Sequence, residues 1–329
     1  MRIVFMGSSQ ASAATLRAIL KSPFLKVVGV VTQPDRPSGR HRKLTPCPCK
    51  AYAEERKLSP IITPEKVNDP AVVEQIRSLK PDVIVVVAFG QILKKELLEM
   101  APHGCINGHF SLLPKHRGAA PVQDAILSGD EVTGVTIMRM DEQMDTGDIL
   151  LTAIEPICSD DSAGELMDRL AILGAVTMSK ALKLMVVGQL KRIPQDHSIA
   201  TYSRKMLKTD GLIDWSRPAK EINRTIRAFD PWPGAYTFRP KHLCRPGTSG
   251  RVKILEAHDV PELVDDFQDV QPGAICLISP MGPIVKTGKG VIVLISLQPD
   301  GSRPMDGKSF LNGYPMHIGD RFVSNPDEE

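Results

Sequence analysis

The sequence predicts an α/β protein: a Rossmann-like, largely parallel sheet with helices on both faces, followed by a smaller OB-like β-barrel domain. Three observations carry that prediction. Up to about residue 188, short β-branched runs alternate with helix-compatible segments, the rhythm of strands joined by crossover helices. The run Val83-Ile84-Val85-Val86-Val87 is apolar at every position, as a central strand covered on both faces requires. Beyond Ala228 the pattern changes to strands separated by Gly and Pro, which suits a small antiparallel barrel. With 329 residues, 42% of them hydrophobic, the chain can bury two cores.

Ile3–Met6 reads as the first strand and Ala11–Lys21 as the helix after it. The intervening Gly7-Ser8-Ser9-Gln10-Ala11-Ser12 has a single glycine where a dinucleotide fingerprint needs several, which argues against a nicotinamide or flavin enzyme. Ser8 or Ser9 is the expected helix N-cap. Val27–Thr32 with Ala51–Lys57, and Asp82–Val87 with Ile92–Met100, repeat the strand-helix unit, and Cys105–His109 and Val135–Met140 are further strands. Residues 161–187 form a long closing helix, with Asp160 and Asp161 complementing its dipole. Gly188–Tyr202 lacks sustained periodicity and contains Pro194. The expected organisation is therefore a catalytic domain over 1–188, a linker over 189–204, a β-barrel domain over 205–323 and an acidic tail over 324–329. In the barrel domain, helix Ala219–Ala228 precedes strands Val252–Ala257, Ala274–Ile278, Ile284–Thr287 and Val291–Leu297. Trp215 and Trp232 are expected to fix core or domain packing, with stacking on RNA as the alternative, and His103 and His116, which have no evident partner, are expected at the surface.

Charge excludes little, because Lys and Arg (41) nearly balance Asp and Glu (38) and leave a net +3. A polyanion site must come from local clustering. The six cysteines are scattered, with neither a secreted framework nor a Cys-x-x-Cys pair, so they are expected to be reduced and metal-free. The N-terminus opens directly into a strand and no segment reaches membrane-spanning length. These features predict a soluble cytoplasmic protein without a membrane partner; a monomer is expected by default, with no sequence feature behind it.

Chemistry concentrates in the fourth strand and the segments after it. Strand periodicity puts the Asn107 and His109 side chains on one face, about 7 Å apart. An Asn amide can donate to an oxyanion and a His can exchange protons near neutral pH, a pair suited to a tetrahedral intermediate; a structural hydrogen-bonded pair is the alternative. The following loop, Ser111 to Pro121, carries paired leucines that either plug the core or line an apolar pocket. Met140-Asp141-Glu142-Gln143-Met144-Asp145-Thr146-Gly147-Asp148 reads on composition as an acidic turn or a calcium-like loop.

Taken in order, Asn107-x-His109, Ser111-Leu112-Leu113-Pro114-x-x-Arg117-Gly118-Ala119-Ala120-Pro121 and Asp145-Thr146-Gly147-Asp148 resemble the 10-formyltetrahydrofolate formyltransferases, and the interval from Asn107 to Asp145 (145 − 107 = 38 residues) also fits. The resemblance implies a catalytic trio of Asn107, His109 and Asp145. It implies that Ser111, Leu112, Leu113 and Pro114 contact the folate and that Phe89, Gly90, Gln91 and Ile92 line the pterin pocket. The implied donor is 10-formyltetrahydrofolate, giving tetrahydrofolate, with no metal. The loop Gln33 to Pro46, Ile213-Asp214-Trp215 and the segment Ile226 to Tyr236 look like the branch of that family that formylates methionyl-tRNA, so the implied acceptor is initiator methionyl-tRNA. This likeness spans about residues 1 to 323.

Five basic side chains between residues 36 and 50 (Arg36, Arg40, Arg42, Lys43 and Lys50), with no acid among them, could grip RNA phosphates. A second cluster, Arg239, Lys241 and Arg245 with Arg251 and Lys253, falls in the barrel domain. Three positions depart from the family pattern: Ser8-Ser9 replaces a usual Thr-Pro, Gly108 a β-branched residue, and Phe110 a small one. Gly108 is expected to loosen the strand, and Phe110 could crowd the folate pocket.

Overall fold

Up to residue 204 the chain runs through β1 (Arg2–Gly7), α1 (Gln10–Leu20), β2 (Lys26–Val31), β3 (Arg36–Ser38), β4 (Lys43–Thr45), α2 (Pro48–Glu55), β5 (Ile61–Ile62), α3 (Pro70–Ser78) and β6 (Val83–Val87). It continues through α4 (Lys95–Leu98), β7 (Cys105–His109), β8 (Arg117–Gly118), α5 (Pro121–Ser128), β9 (Val132–Arg139), β10 (Ile149–Pro156), α6 (Ala163–Val186) and β11 (Tyr202–Ser203). The computed structural model describes residues 1–38, 43–244, 247–263 and 266–325. It separates into a first unit of Met1–Pro121, Glu131–Ile157 and Leu166–Arg204, and a second of Val122–Asp130, Cys158–Glu165 and the chain from Lys205 onward.

The sheet of the first unit has the order β10-β9-β7-β6-β1-β2-β5. Neighbours from β7 to β5 are parallel, and β9 and β10 add antiparallel strands at one edge. The Rossmann-like expectation holds. Every residue of β6 is buried, so its unbroken apolar run marks the sheet centre. Ser9 caps α1 in a capping box, its hydroxyl accepting from Ser12 N while Ser12 Oγ accepts from Ser9 N.

One expectation changes. The helix expected over Ile92–Met100 shrinks to the four residues of α4. Its intended first turn is diverted by Asn68, whose side chain donates to Ile92 O and accepts from Lys94 N, both at 2.8 to 2.9 Å. Residues 189–204 belong to the first unit: β11 pairs in parallel with β8, and Ile193 bridges Ile149.

The second unit contains α7 (Ala219–Ala228), β12 (Tyr236–Phe238), β13 (Arg251–Asp259), β14 (Ile275–Ile278), β15 (Pro283–Lys286), β16 (Val291–Pro299), β17 (Met305–Asp306) and α8 (Gly307–Gly313). Its antiparallel order is β12-β13-β16-β15-β14, with β17 on β16. Arg321–Val323 bonds Phe238 on one side and Gly273 and Ala274 on the other, so the two sheet edges meet through it. Ile222 and Ile226, one turn apart on α7, enter the core with Trp215, Phe310 and Phe322. Trp215 stacks on Phe322 at 5.9 Å and donates to Thr237 Oγ1 at 2.9 Å, a packing role. Trp232, expected to pack likewise, is 47% exposed. Among the described residues no helix is long and apolar enough to cross a membrane.

Candidate active site

β6 and β7 run side by side in parallel, so the turn after Val87 and the residues after Asn107 emerge at the same edge, the carboxyl ends where open α/β sheets collect ligands. Alternation along β7 puts Asn107 and His109 on one face and sends Gly108 and Phe110 to the other, toward α6. A Cβ built on Gly108 would lie 3.5 Å from Met178, and one on Gly174 would lie 3.3 Å from the Phe110 ring. Gly174 thus makes the space that Phe110 fills, on the face away from Asn107 and His109, so Phe110 does not crowd that side. Since a methyl at Gly108 meets only ordinary contacts, Gly108→Ala is expected to stabilise the strand by about 0.5–1 kcal/mol. Thermal melts showing a raised Tm, with turnover kept, would bear this out; a loss of turnover would tie that face to the reaction.

The Asn107 carboxamide makes no hydrogen bond to any described residue. His109 is buried and anchored at one nitrogen: Nε2 lies 2.9 Å from the carbonyl oxygen of His116. A carbonyl can only accept, so Nε2 carries a proton and Nδ1 is the nitrogen that takes up and returns one. Nδ1 faces Asp145 Oδ2 at 3.6 Å, too long for a direct hydrogen bond but close enough for charge contact. Asp145 Oδ2 accepts from Gly118 N at 2.8 Å, which leaves Oδ1 without a partner among the described residues. Asp145 sits at φ 55, a left-handed conformation costly for a residue with a Cβ. The turn behind it closes because Gly147 lets the backbone pass against the Arg139 carbonyl, where a Cβ would collide.

Ser111, Leu112, Leu113 and Pro114 form a braced loop beside this trio. Ser111 Oγ donates to Lys115 O at 2.6 Å, and Thr136 Oγ1 donates to Ser111 O while accepting from Leu113 N. On the β6 side, Phe89 is buried and its carbonyl accepts from Gln33 Nε2 at 3.0 Å. Gln91 is spent on structure, donating to Pro64 O and accepting from Val67 N. Gly90 has φ 84, and among the described residues beyond its chain neighbours only Gln33 Nε2, at 3.5 Å, comes within 4 Å of a Cβ built there, so the space beside its Cα stands open. Ile92 is 81% exposed.

Sequence reasoning missed the support beneath Asp145. Arg117 is 1% exposed, and its donors go to Gln195 Oε1, Tyr202 OH and His197 Nδ1. Thr201 Oγ1 accepts from His116 N at 2.8 Å, and Ser203 Oγ accepts from Ala120 N at 3.0 Å. His116, expected at the surface, is buried, and its backbone N–H and carbonyl both bond neighbours in the first unit. The one available signal was the cluster of polar side chains between Gln195 and Ser203, too polar for a spacer without a task.

The basic residues are placed unevenly. Arg36 pairs with Glu65 at 2.8 Å, and Lys50 with Asp35 at 2.7 Å, a hydrogen bond that raises the Lys50 pKa. Lys43 is exposed and has no ion-pair partner among the described residues. Arg239 is buried, lies over Tyr314 and donates to Leu243 O at 2.6 Å, and burial depresses its pKa. Lys241 is exposed, and Arg40, Arg42 and Arg245 lie outside the described residues. All six cysteines are free, and among the described residues no group of His, Cys, Asp or Glu could hold a metal ion.

The sequence pattern of formyl transferases matches residues 1–182, and that of the formyl transferase C-terminal domain matches 205–315. Methionyl-tRNA formyltransferase of Symbiobacterium thermophilum is 45% identical over 323 residues, covering 98% of this chain and 95% of that protein. The enzyme of the same name from Desulfotalea psychrophila is 44% identical over 313 residues, covering 95% and 93%. The chain belongs to the formyl transferase family, and within it to the methionyl-tRNA formyltransferases. An N-formyltransferase from Helicobacter canadensis, solved with folinic acid and dTDP-3-aminofucose, shares the fold at TM-score 0.62 and 20% identity, covering 89% of this chain and 98% of its own. A phosphoribosylglycinamide formyltransferase from Anaplasma phagocytophilum matches at TM-score 0.50 and 20% identity, covering 62% of this chain and 99% of its own.

Proposed function

We propose that this chain transfers the formyl group of 10-formyltetrahydrofolate to the methionine α-amino group of initiator methionyl-tRNA, releasing tetrahydrofolate and N-formylmethionyl-tRNA for translation initiation, as a cytoplasmic monomer. The observation that carries the chemistry is an Asn107 amide without a partner among the described residues, on the strand that carries the His109 of the His109–Asp145 pair, at the carboxyl edge of the sheet. Likeness to the methionyl-tRNA formyltransferases over nearly the whole chain, barrel domain included, supports the acceptor.

The amine attacks the formyl carbon, and the carbonyl oxygen gains negative charge. Asn107 donates to that oxygen, and protonated His109, its Nε2–H held by His116 O, donates to the same oxygen from Nδ1–H. Asp145 accepts the amine proton on its open Oδ1, and the proton then passes to the folate nitrogen as the carbon–nitrogen bond breaks, so the leaving group departs neutral. The donor, a substrate of the reaction, fits the residues around the trio. Leu112, Leu113 and Pro114 offer apolar contact, and the open space beside the Gly90 Cα in the Phe89–Ile92 turn lets a flat heterocycle approach peptide groups.

Arg36, Arg40, Arg42, Lys43 and Lys50 of the first unit, with Arg239, Lys241 and Arg245 of the second, serve the tRNA in this reading. Lys43 is the best placed of the described ones for a phosphate; Arg36 and Lys50 must exchange an acid for it, and Arg239 acts through the loop it holds. The triple variant Arg40→Ala/Arg42→Ala/Lys43→Ala is expected to weaken methionyl-tRNA binding and to reduce the slope of log K against log salt by about 2–3, at nearly unchanged kcat under saturation. An unaltered slope would remove this loop from the tRNA interface.

A further inference from the structure

We infer that Gln195 is a positioning residue for Asp145, and that the stretch from Gln195 to Ser203 completes the catalytic machinery. The inference rests on the role proposed above for Asp145. The side-chain amide of Gln195 is buried and fully engaged. Nε2 donates to Asp145 O at 2.9 Å and Gly147 O at 2.7 Å; Oε1 accepts from Arg117 Nε at 3.2 Å and Nη2 at 2.7 Å. No rotation of the amide preserves this pattern, since flipping it would face an oxygen toward two carbonyls and a nitrogen toward a guanidinium.

The bonds close a ring. Arg117 holds Gln195, Gln195 holds the backbone of Asp145, and the Asp145 carboxylate accepts from Gly118, the residue after Arg117. Both the backbone and the carboxylate of Asp145 are thereby referred to one dipeptide. The left-handed backbone of Asp145 needs such over-determination, because its preferred conformations lie elsewhere. Among the described residues the buried Arg117 has neutral acceptors only, so its charge polarises the Gln195 amide and strengthens the donors aimed at the Asp145 turn. A glutamate at 195 would still pair with Arg117 but would oppose two carbonyl oxygens. A glutamine meets both demands at once.

The test uses the full chain with Q195E, Q195A, D145N and the double variant Q195E/D145N. Q195E is expected to lower kcat by on the order of 10²-fold, as for a misplaced catalytic group, with KM for both substrates nearly unchanged. Because Gln195 acts through Asp145, Q195E is expected to have no further effect in the D145N background. A second readout needs no substrate: exchange of the Gly118 amide proton, held by Asp145 Oδ2, should quicken by about 10-fold or more in Q195E and Q195A. Wild-type kcat in Q195E, multiplying losses in the double variant, or Gly118 exchange as slow as in the wild type would overturn the inference. If Q195E does not fold, Q195A is read by the same exchange measurement. A wild-type chain inactive on methionyl-tRNA would overturn the functional reading instead, and Gly118 exchange would still decide the role of Gln195.

Discussion

Asp145→Asn is expected to lower kcat for formyl transfer by on the order of 10³-fold, within the range for loss of a general base. The substitution is nearly isosteric. An asparagine oxygen can still accept from Gly118 N, where Asp145 Oδ2 now accepts at 2.8 Å, and the Gln195 bonds reach the backbone of residue 145, not its side chain. What disappears is the negative charge 3.6 Å from His109 Nδ1 and the basic Oδ1 that receives the amine proton. The loss should therefore fall equally on kcat and kcat/KM, with KM for both substrates unchanged. Steady-state kinetics with both substrates varied checks this, and a loss smaller than about ten-fold would remove Asp145 as the proton acceptor.

Asn107→Ala is expected to cost on the order of 10² in kcat, the usual effect of deleting one oxyanion donor. The Asn107 amide has no partner among the described residues, so its removal orphans nothing among them and should leave stability close to wild type. The neighbouring backbone pairs, Asn107 with Val86 and with Met138, keep β7 in register whatever the side chain. Affinity for methionyl-tRNA should stay as it was. A variant with wild-type turnover would leave the oxyanion to His109 alone.

How much of this was legible in the sequence depended on whether the determinant was local. The buried run Val83–Val87 and the Ser9 cap are written in consecutive residues and emerge as expected. The face shared by Asn107 and His109 follows from strand period alone. Failures came where a distant side chain decided the outcome. Asn68 shortens α4 by taking Ile92 O and Lys94 N, and nothing near Ile92 announces it. Gln195 lies 78 residues from Arg117 and 50 from Asp145, so its bonds appear only in three dimensions. The acid-free window of residues 36–50 was real, but its frame mattered: Asp35, one position upstream, takes Lys50, and Glu65 takes Arg36. Phe110 looked like an obstacle because the compensating space at Gly174 comes from α6, not from the motif itself.

The most direct measurement is formyl transfer by the purified chain from 10-formyltetrahydrofolate labelled in the formyl group, with initiator methionyl-tRNA, glycinamide ribonucleotide, an amino-sugar nucleotide or water alone as acceptor. Label is expected in methionyl-tRNA, with one tetrahydrofolate released per formyl group transferred and rates with the other acceptors near background. Faster transfer to either small acceptor, or release of formate to water at a rate indifferent to methionyl-tRNA, would contradict methionyl-tRNA as the acceptor.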